Sequence, residues 1–225
     1  MSALFKQLPP SDGTPANFET IAQALTVQGY CIIPNALASM DHVGQELFLQ
    51  ACQMPDNAFS PAGIGRQQDH IQNSFVRRDE IHWLDGKTPA EQAWLDWNQA
   101  LKTYLNRRLF LGLFSYESHF AHYRPGAFYK KHMDAFRGEA NRVLTTVFYL
   151  NPSWTTEDGG ELVIYPEHDP ENQGNILEKV MPTFGTMVIF LSAEFPHEVL
   201  PAMRYRYSIA GWFRVNNTDK LDPPR

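Results

Sequence analysis

The sequence contains little cysteine, no excess of positive charge and no long apolar run. Its two cysteines, Cys31 and Cys52, lack the spacing of zinc ligands or redox pairs and stand in apolar stretches, so we expect buried, reduced thiols. The net charge is -6, whereas surfaces that bind phosphate backbones are usually basic, which argues against a nucleic-acid partner. No stretch approaches the length of a membrane span, and residues 1–10 lack the apolar run of a signal peptide. We therefore expect a cytoplasmic protein with no membrane partner.

The composition is typical of a folded globular protein. Of the 225 residues, 43% are hydrophobic and 20% are charged, which excludes the disordered and fibrous classes. The length suits one domain with a sizeable core, and the chain has no internal repeat. We expect residues 1–225 to form a single domain.

Residues 1–111 are predicted to be mainly helical. Apolar positions recur at helical spacing from Phe18, and again after Ser39, which we expect to cap a second helix. The segment Thr88-Pro89-Ala90-Glu91 combines a capping box with proline at the first helical position, and the aromatic stripe after it predicts a long helix packed on a sheet. Short strands are expected at 30–33 and 73–83.

The second half of the chain consists of strand-like segments separated by turn residues. Short strands without helices between them predict an antiparallel sandwich or barrel, here over about 112–215. The fold class is therefore mainly β with N-terminal helices (α+β). The predicted strands are 113–123, 127–135, 142–150, 161–165, 185–191 and 205–215.

A Gly-rich polar stretch lies between the two halves. Residues 58–76 are predicted to form a surface loop over a site. Gly63 and Gly65 lack the spacing of a phosphate-binding loop, so a nucleotide is not the expected ligand.

The segment His132-Met133-Asp134 is the strongest candidate for a site. On an extended strand, residues two apart share a face, so His132 and Asp134 can bind one ion. His197 would add a second imidazole. Two histidines and one carboxylate on one side of an octahedral ion form the facial set of a non-haem Fe(II) oxygenase, because the opposite side stays open.

Arg206 is the expected anchor for a co-substrate. A guanidinium offers a planar, permanently charged fork to a carboxylate. Ser208 and Ala210 share its strand face, and these small side chains leave room for a ligand. Arg204 is the alternative, but it precedes the strand and is expected to be solvated.

Together these motifs resemble the prolyl hydroxylase branch of the Fe(II)/2-oxoglutarate-dependent dioxygenases, in particular the hypoxia-factor-type prolyl hydroxylases and their bacterial relatives. The resemblance covers about residues 60–215. It rests on segments 132–134 and 197–199, on Pro201, Arg206 and Trp212, and on Tyr123-Arg124-Pro125-Gly126, Tyr149-Leu150-Asn151, Asp158-Gly159-Gly160-Glu161-Leu162 and Arg77-Arg78-Asp79-Glu80-Ile81-His82-Trp83.

The resemblance implies a double-stranded β-helix (a jelly-roll, cupin-like barrel) that uses Fe(II), 2-oxoglutarate and O2, with ascorbate as a candidate addition. It implies that Arg206 pairs with the far carboxylate of 2-oxoglutarate, that the Tyr149 hydroxyl assists, and that Tyr123 lines the pocket. The metal ligands would be His132, Asp134 and His197.

The resemblance also gives candidates for contacts with the substrate. Arg142 and Asp79 would form an ion pair at the substrate entrance, although a purely stabilising bridge is an equal alternative, and Trp212 is a further candidate. Ala210 departs from the family, which places a threonine there. His119 shares the strand face of Tyr123 and is an alternative pocket residue.

Three functions remain open from the sequence. The first is hydroxylation of a prolyl or other residue in a protein or peptide, with release of succinate and CO2. The second is the same chemistry on a small molecule such as a free amino acid. The third is a non-catalytic or zinc-binding jelly roll, although zinc prefers four ligands and would leave Arg206 without a role.

Overall fold

The computed structural model describes residues 17–62, 75–135, 141–166 and 174–216. Residues 1–16, and residues 63–74 of the expected loop, lie outside the described residues. The described helices are α1 (Asn17–Gln28), α2 (Asp41–Gln53) and α3 (Pro89–Leu109). The described strands are β1 (Tyr30–Ile33), β2 (Ser60–Pro61), β3 (Glu80–Trp83), β4 (Ser115–Tyr123), β5 (Tyr129–His132), β6 (Arg142–Tyr149), β7 (Leu162–Ile164), β8 (Glu178–Val180), β9 (Met187–Leu191), β10 (His197–Val199) and β11 (Arg206–Arg214).

The strands form two antiparallel sheets. The large sheet has the order β1-β9-β6-β11-β4-β3-β2, and the small sheet has the order β5-β10-β7-β8. In the large sheet β11 is central, since it pairs with β4 from Arg206 to Arg214 and with β6 from Ser208 onward. The predicted antiparallel β core is therefore confirmed.

The helices cover one face of the large sheet. The aromatic stripe of α3 is buried as predicted: Trp94 and Trp97 stack on each other, and the Trp94 ring lies 5.2 Å from the ring of Phe148 in β6. Burial of side chains of this size is the main stabilising contribution of such a face. A second apolar cluster contains residues of both sheets, among them Tyr123 and Tyr149 of the large sheet and Leu162 and Ile164 of the small one.

The start of α3 shows why the local sequence determines this helix. The Thr88 hydroxyl accepts a hydrogen bond from the Glu91 amide at 3.2 Å, as expected for an N-cap. The Glu91 carboxylate accepts from the amides of Asp85 and Gly86 in the preceding turn. The Glu91 side chain therefore connects the first turn of α3 to the turn that precedes the helix.

Some local expectations were wrong. A short 3-10 turn at Ala38–Met40 precedes α2, which begins at Asp41 with Met40 as N-cap and without a side-chain hydrogen bond, so Ser39 is not the cap. Cys31 is buried as expected, but Cys52 is exposed at the surface of α2, and both are unpaired. Within the described ranges, no helix combines the length and hydrophobicity needed to cross a bilayer.

Candidate metal centre

The structure brings His132, Asp134 and His197 together between the two sheets. His132 ends β5 and His197 begins β10, and the two residues face each other in register. One ligand atom from each of the three side chains lies within 4.8 Å of the others. The Nε2 atoms of His132 and His197 each lie 3.6 Å from a carboxylate oxygen of Asp134. Because β5 stops at His132, Asp134 reaches this point through the following bend, and not through strand alternation.

Backbone carbonyls orient both imidazoles. The Nδ1 of His132 lies 2.8 Å from the Lys130 carbonyl oxygen, and the Nδ1 of His197 lies 3.0 Å from that of Phe195. When each Nδ1–H donates to its carbonyl, each Nε2 presents a lone pair to the centre, which is the tautomer a metal ligand needs. Burial lowers the pKa of His197 to about 4, so this imidazole is neutral at physiological pH.

The Asp134 carboxylate is fixed by two donors. Its Oδ2 accepts hydrogen bonds from the Thr145 hydroxyl at 2.7 Å and from the Trp212 indole N–H at 3.0 Å. The Thr145 hydroxyl also lies 2.9 Å from that of Ser192. Burial raises the pKa of Asp134, but the adjacent His197 and His132 side chains and the Arg142 guanidinium hold it well below its usual range. The site therefore contains a permanently ionised carboxylate of fixed orientation.

Arg206 enters the same interior from the first position of β11. Its side chain is fully buried, and its Nε donates to the Gly160 carbonyl oxygen at 2.8 Å. The guanidinium carbon lies 5.0 Å from the ring centroid of Tyr123 and 5.1 Å from that of Tyr149. Its Nη2 has no hydrogen-bond partner among the described residues.

The Tyr149 hydroxyl is a second buried polar group without a partner among those residues. Burial raises the pKa of Tyr149 to about 12, so the phenol keeps its proton and can donate it. A buried cation and a buried hydroxyl with unused donors are costly unless a ligand satisfies them. These two donors suit an ionised carboxylate, which accepts from several N–H and O–H groups at once.

Comparisons with known proteins agree with this geometry. Residues 118–214 match the family model described as the 2OG-Fe(II) oxygenase superfamily. The crystal structure of a prolyl-4-hydroxylase from Pseudomonas putida is 34% identical in sequence with a TM-score of 0.77, and the match covers 89% of this chain and 100% of that one. The chain belongs to the 2OG-Fe(II) oxygenase superfamily.

Two further relatives are 27% and 25% identical in sequence. A prolyl hydroxylase from Trichoplax adhaerens, solved with a peptide fragment of the hypoxia inducible factor oxygen degradation domain, is 27% identical with a TM-score of 0.73 and a coverage of 88% of both chains. The human Egl nine homolog 1 is 25% identical over 221 residues, which are 92% of this chain and 49% of that protein. The chain thus spans about half the length of the curated relatives it matches. The predicted family and the predicted double-stranded β-helix are both confirmed.

The two glycines of the Asp158-Gly159-Gly160 segment have a structural role in this fold. Both have positive φ, at +64° and +71°. A Cβ on Gly160 would lie 2.8 Å from the Cβ of Ala202 and 3.2 Å from the Cδ of Arg206. The absence of a side chain therefore lets the Gly160 carbonyl approach the guanidinium that it orients.

The expected ion pair between Arg142 and Asp79 does not form. Asp79 is fully buried and makes two hydrogen bonds to Arg77, from Nε at 2.5 Å and from Nη2 at 2.8 Å. Arg142 instead donates to Glu117 at 3.1 Å, and its guanidinium lies 3.7 Å from the ring centroid of Trp212. Arg77, two residues from Asp79 in the same segment, occupies the position that the sequence assigned to Arg142.

Three other candidates have surroundings that the structure defines. Trp212, considered as a substrate contact, donates to Asp134 and so belongs to the support of the metal ligand. His119 is buried, with its ring 5.1 Å from that of Trp83 and 5.4 Å from that of Trp212, and burial lowers its pKa to about 4. Arg204 is half exposed and donates to backbone carbonyls, as expected for the solvated alternative to Arg206.

Sequence reasoning missed Thr145, Ser192 and Tyr129. Thr145 shares the strand face of Tyr149, four residues later on β6, so alternation from an identified pocket residue could have found it. The ring of Tyr129 stacks on the His132 imidazole. Ser192 follows the end of β9, and no sequence signal indicates its contact with Thr145.

Proposed function

We propose that this protein is an Fe(II)- and 2-oxoglutarate-dependent dioxygenase that hydroxylates a prolyl residue of a protein substrate, with release of succinate and CO2. One observation carries the proposal: the facial set of His132, Asp134 and His197 lies in the same interior as a buried guanidinium with an unused donor. The prolyl hydroxylases among the relatives support the choice of residue and of a protein substrate.

The three ligands would hold the iron through Nε2 of each imidazole and one oxygen of Asp134. Three protein ligands would leave three positions of an octahedral ion for 2-oxoglutarate and oxygen. The iron with its co-substrate supplies the oxidising chemistry when bound. The protein contributes position and charge. Carbonyls orient the imidazoles, and Thr145 and Trp212 orient the carboxylate.

The co-substrate would be held at its far end by Arg206 and Tyr149. Both side chains are fully buried, so water does not compete for the carboxylate and the charge-assisted hydrogen bonds act at low dielectric. Tyr123 would line this pocket, since its ring borders the guanidinium. The position that holds threonine in the family is Ala210 here, which removes one hydroxyl from the expected pocket.

The substrate would enter where Arg142, Trp212 and Glu117 meet. Arg142 is partly exposed, and the Glu117 carboxylate that it pairs with also pairs with Arg214. The predicted loop over the substrate at 58–76 stays a prediction, because most of it lies outside the described residues. A single domain over residues 1–225 and a location in the cytoplasm are likewise proposals, and the unpaired state of Cys31 and Cys52 is consistent with a reducing compartment.

The test combines turnover and product identification. Purified protein with Fe(II) and 2-oxoglutarate is expected to form succinate faster when supplied with a protein extract from cells that lack the gene. Mass spectrometry should then find one added oxygen on prolyl residues, and the His132→Ala variant should give neither signal. An oxygen added to another side chain would overturn the prolyl assignment.

The small-molecule alternative is separated by competition. Free amino acids at high concentration should leave the labelling of the extract unchanged if a protein is the substrate. Stimulation of succinate formation by a free amino acid, with none by the extract, would favour the alternative. Stable binding of zinc together with no measurable affinity for 2-oxoglutarate would favour the third alternative, a non-catalytic or zinc-binding jelly roll.

A further inference from the structure

The ring of Tyr129 stacks on the imidazole of His132. The ring centroids are 3.5 Å apart and the ring planes differ by 15°. The Cζ of Arg77 lies 4.5 Å from the centroid of the same Tyr129 ring. Because the imidazole at 3.5 Å covers one face of the phenol, the guanidinium lies over the other face. The three side chains therefore form a layered stack of cation, phenol and metal-ligand imidazole.

Arg77 is held in this stack from two directions. Asp79 binds its guanidinium through two hydrogen bonds, and the side chain of Asp79 is completely buried. The backbone of Arg77 forms an isolated antiparallel bridge with Tyr129, flanked by hydrogen bonds from Arg78 N to Phe128 O at 3.0 Å and from Lys130 N to Val76 O at 2.9 Å. The guanidinium therefore has little freedom to leave the ring.

The stack limits the movement of the His132 ring. The Lys130 carbonyl holds Nδ1 at one edge of the imidazole, but one hydrogen bond still allows the ring to rotate about that contact. The parallel phenol removes this rotation by covering one face of the ring. His197, by contrast, is buried, and the aromatic side chain of Phe190 lies at 4.8 Å from its ring. His132 is the more exposed imidazole, so the stack supplies the constraint that burial supplies to His197.

We propose that Arg77, Asp79 and Tyr129 position the metal ligand His132, with Arg77 acting through the ring of Tyr129. The inference rests on the proposed function only in taking His132 as a ligand. A cation over an aromatic face is attracted to the ring, and the attraction is stronger when the two groups are desolvated. Removing a group that orients a metal-bound histidine typically weakens metal affinity about tenfold or more.

The segment that carries Arg77 gives the stack a second consequence. Residues 75–79 are 50 or more positions before His132 in the sequence, and they reach the ligand only through the bridge to Tyr129. Anything that displaces this segment withdraws the guanidinium from the phenol and loosens the imidazole. The affinity for metal and the position of residues 75–79 are therefore coupled, which requires that each affects the other equally.

The test measures Mn(II) affinity of the metal-free protein by titration, together with thermal unfolding of the same samples. Tyr129→Leu is expected to weaken Mn(II) binding about tenfold, and Tyr129→Phe, which keeps the stacked ring, should bind within about twofold of the parent. Arg77→Met should weaken binding by about threefold to tenfold. The double variant should bind no more weakly than Tyr129→Leu alone, because Arg77 acts through that ring.

Arg78→Met is the matched control. The Arg78 guanidinium lies 4.9 Å from the ring centroid of Phe128, so the adjacent residue makes the same kind of contact with a ring that stacks on none of the three ligands. It should retain the parent affinity for Mn(II). Additive losses in the double variant would overturn the role of Arg77, and so would an unchanged Mn(II) affinity in Arg77→Met. If Tyr129→Leu fails to fold, the comparison of Arg77→Met with Arg78→Met still decides the question.

The two proposals fail in different ways. A parent protein that binds no Mn(II) or Fe(II) would overturn the proposed function and this inference together. A parent protein that binds metal and forms succinate, with Tyr129→Leu binding as tightly, would overturn the inference alone.

Discussion

The indole nitrogen of Trp212 lies 3.0 Å from Oδ2 of Asp134. Thr145 donates to the same oxygen, so both hydrogen bonds converge on one side of the carboxylate. Oδ1, which has neither of these donors, lies 3.6 Å from Nε2 of His132. The carboxylate is thus fixed through Oδ2, which itself lies 3.6 Å from Nε2 of His197.

Thr145→Val should weaken metal binding. The change keeps the shape of the side chain but removes the donor to Oδ2, and a hydrogen bond to a charged group contributes about 1.5–3 kcal/mol. We expect the affinity for Mn(II) to fall about tenfold, measured by titration of the metal-free protein. Thr146→Val is the control, because Thr146 is equally buried on the opposite face and its hydroxyl contacts Tyr116 at 3.0 Å. Equal losses in both variants would show that the effect is one of stability.

Tyr149→Phe and Arg206→Ala should raise the requirement for 2-oxoglutarate. Tyr149→Phe removes one donor and keeps the ring, so the KM for 2-oxoglutarate should rise about tenfold with metal affinity unchanged. Arg206→Ala removes the charged anchor and should raise the KM further, whereas His132→Ala or Asp134→Ala should abolish iron-dependent turnover. Succinate formation over a range of 2-oxoglutarate concentrations separates these outcomes. Equal residual activity in all of these variants would place the site elsewhere.

Gly160→Ala should destabilise the protein and impair the anchor. Positive φ alone costs a non-glycine residue about 1–2 kcal/mol, and the new Cβ would also press on Ala202 and on Cδ of Arg206. Gly126→Ala is the matched control, since Gly126 has φ +79° and nothing within 4 Å of the added atom. Thermal unfolding should show a loss in both variants and a larger loss at Gly160. Only Gly160→Ala should raise the KM for 2-oxoglutarate, and an equal rise in Gly126→Ala would contradict this account.

Stability should fall in acid partly through His119. Burial depresses the pKa of His119 from its ordinary value of 6.5 to about 4, so the unfolded chain binds a proton in this range and the folded protein does not. The free energy of unfolding should therefore be constant above pH 6.5, fall as the pH decreases from 6.5 to 4, and level off below. His119 accounts for a loss of about 3 kcal/mol at most in the free energy of unfolding over this pH range.

Denaturant titrations at several pH values test the role of His119. The His119→Gln variant should show a shallower loss of stability between pH 6.5 and 4 than the parent. The His42→Gln variant should retain the parent slope, because His42 is exposed on α2. A parent-like slope in His119→Gln would show that other groups cause the acid sensitivity.

The sequence predicted those helices and strands that depend on neighbouring residues or on a long alternation of apolar and polar side chains. The Thr88 cap and the buried stripe of α3 follow from neighbouring residues, and the long strands β4, β6 and β11 follow from their length and turn residues. Strands β8 and β10, of three residues each, were not predicted, whereas the equally short β7 lies within the predicted strand 161–165.

Pairings between distant side chains were less predictable. Arg142 and Asp79 were matched by charge, but Asp79 has a nearer cation in Arg77, and Arg142 lies against Glu117 and Trp212. The choice between two arginines depends on the path of the backbone, which the sequence does not state. The donors to Asp134 come from β6 and β11, so only the folded sheet brings them together.

The guanidinium of Arg206 belongs to the large sheet, whereas both ligand imidazoles belong to the small one. Facing sheets stand roughly 10 Å apart, and a dicarboxylate that joins the two must span the part of that gap left between the Arg206 side chain and the metal ligands. The separation of the two sheets would thereby help to set which length of dicarboxylate the pocket accepts. A diacid one carbon shorter would have to release one of its two ends.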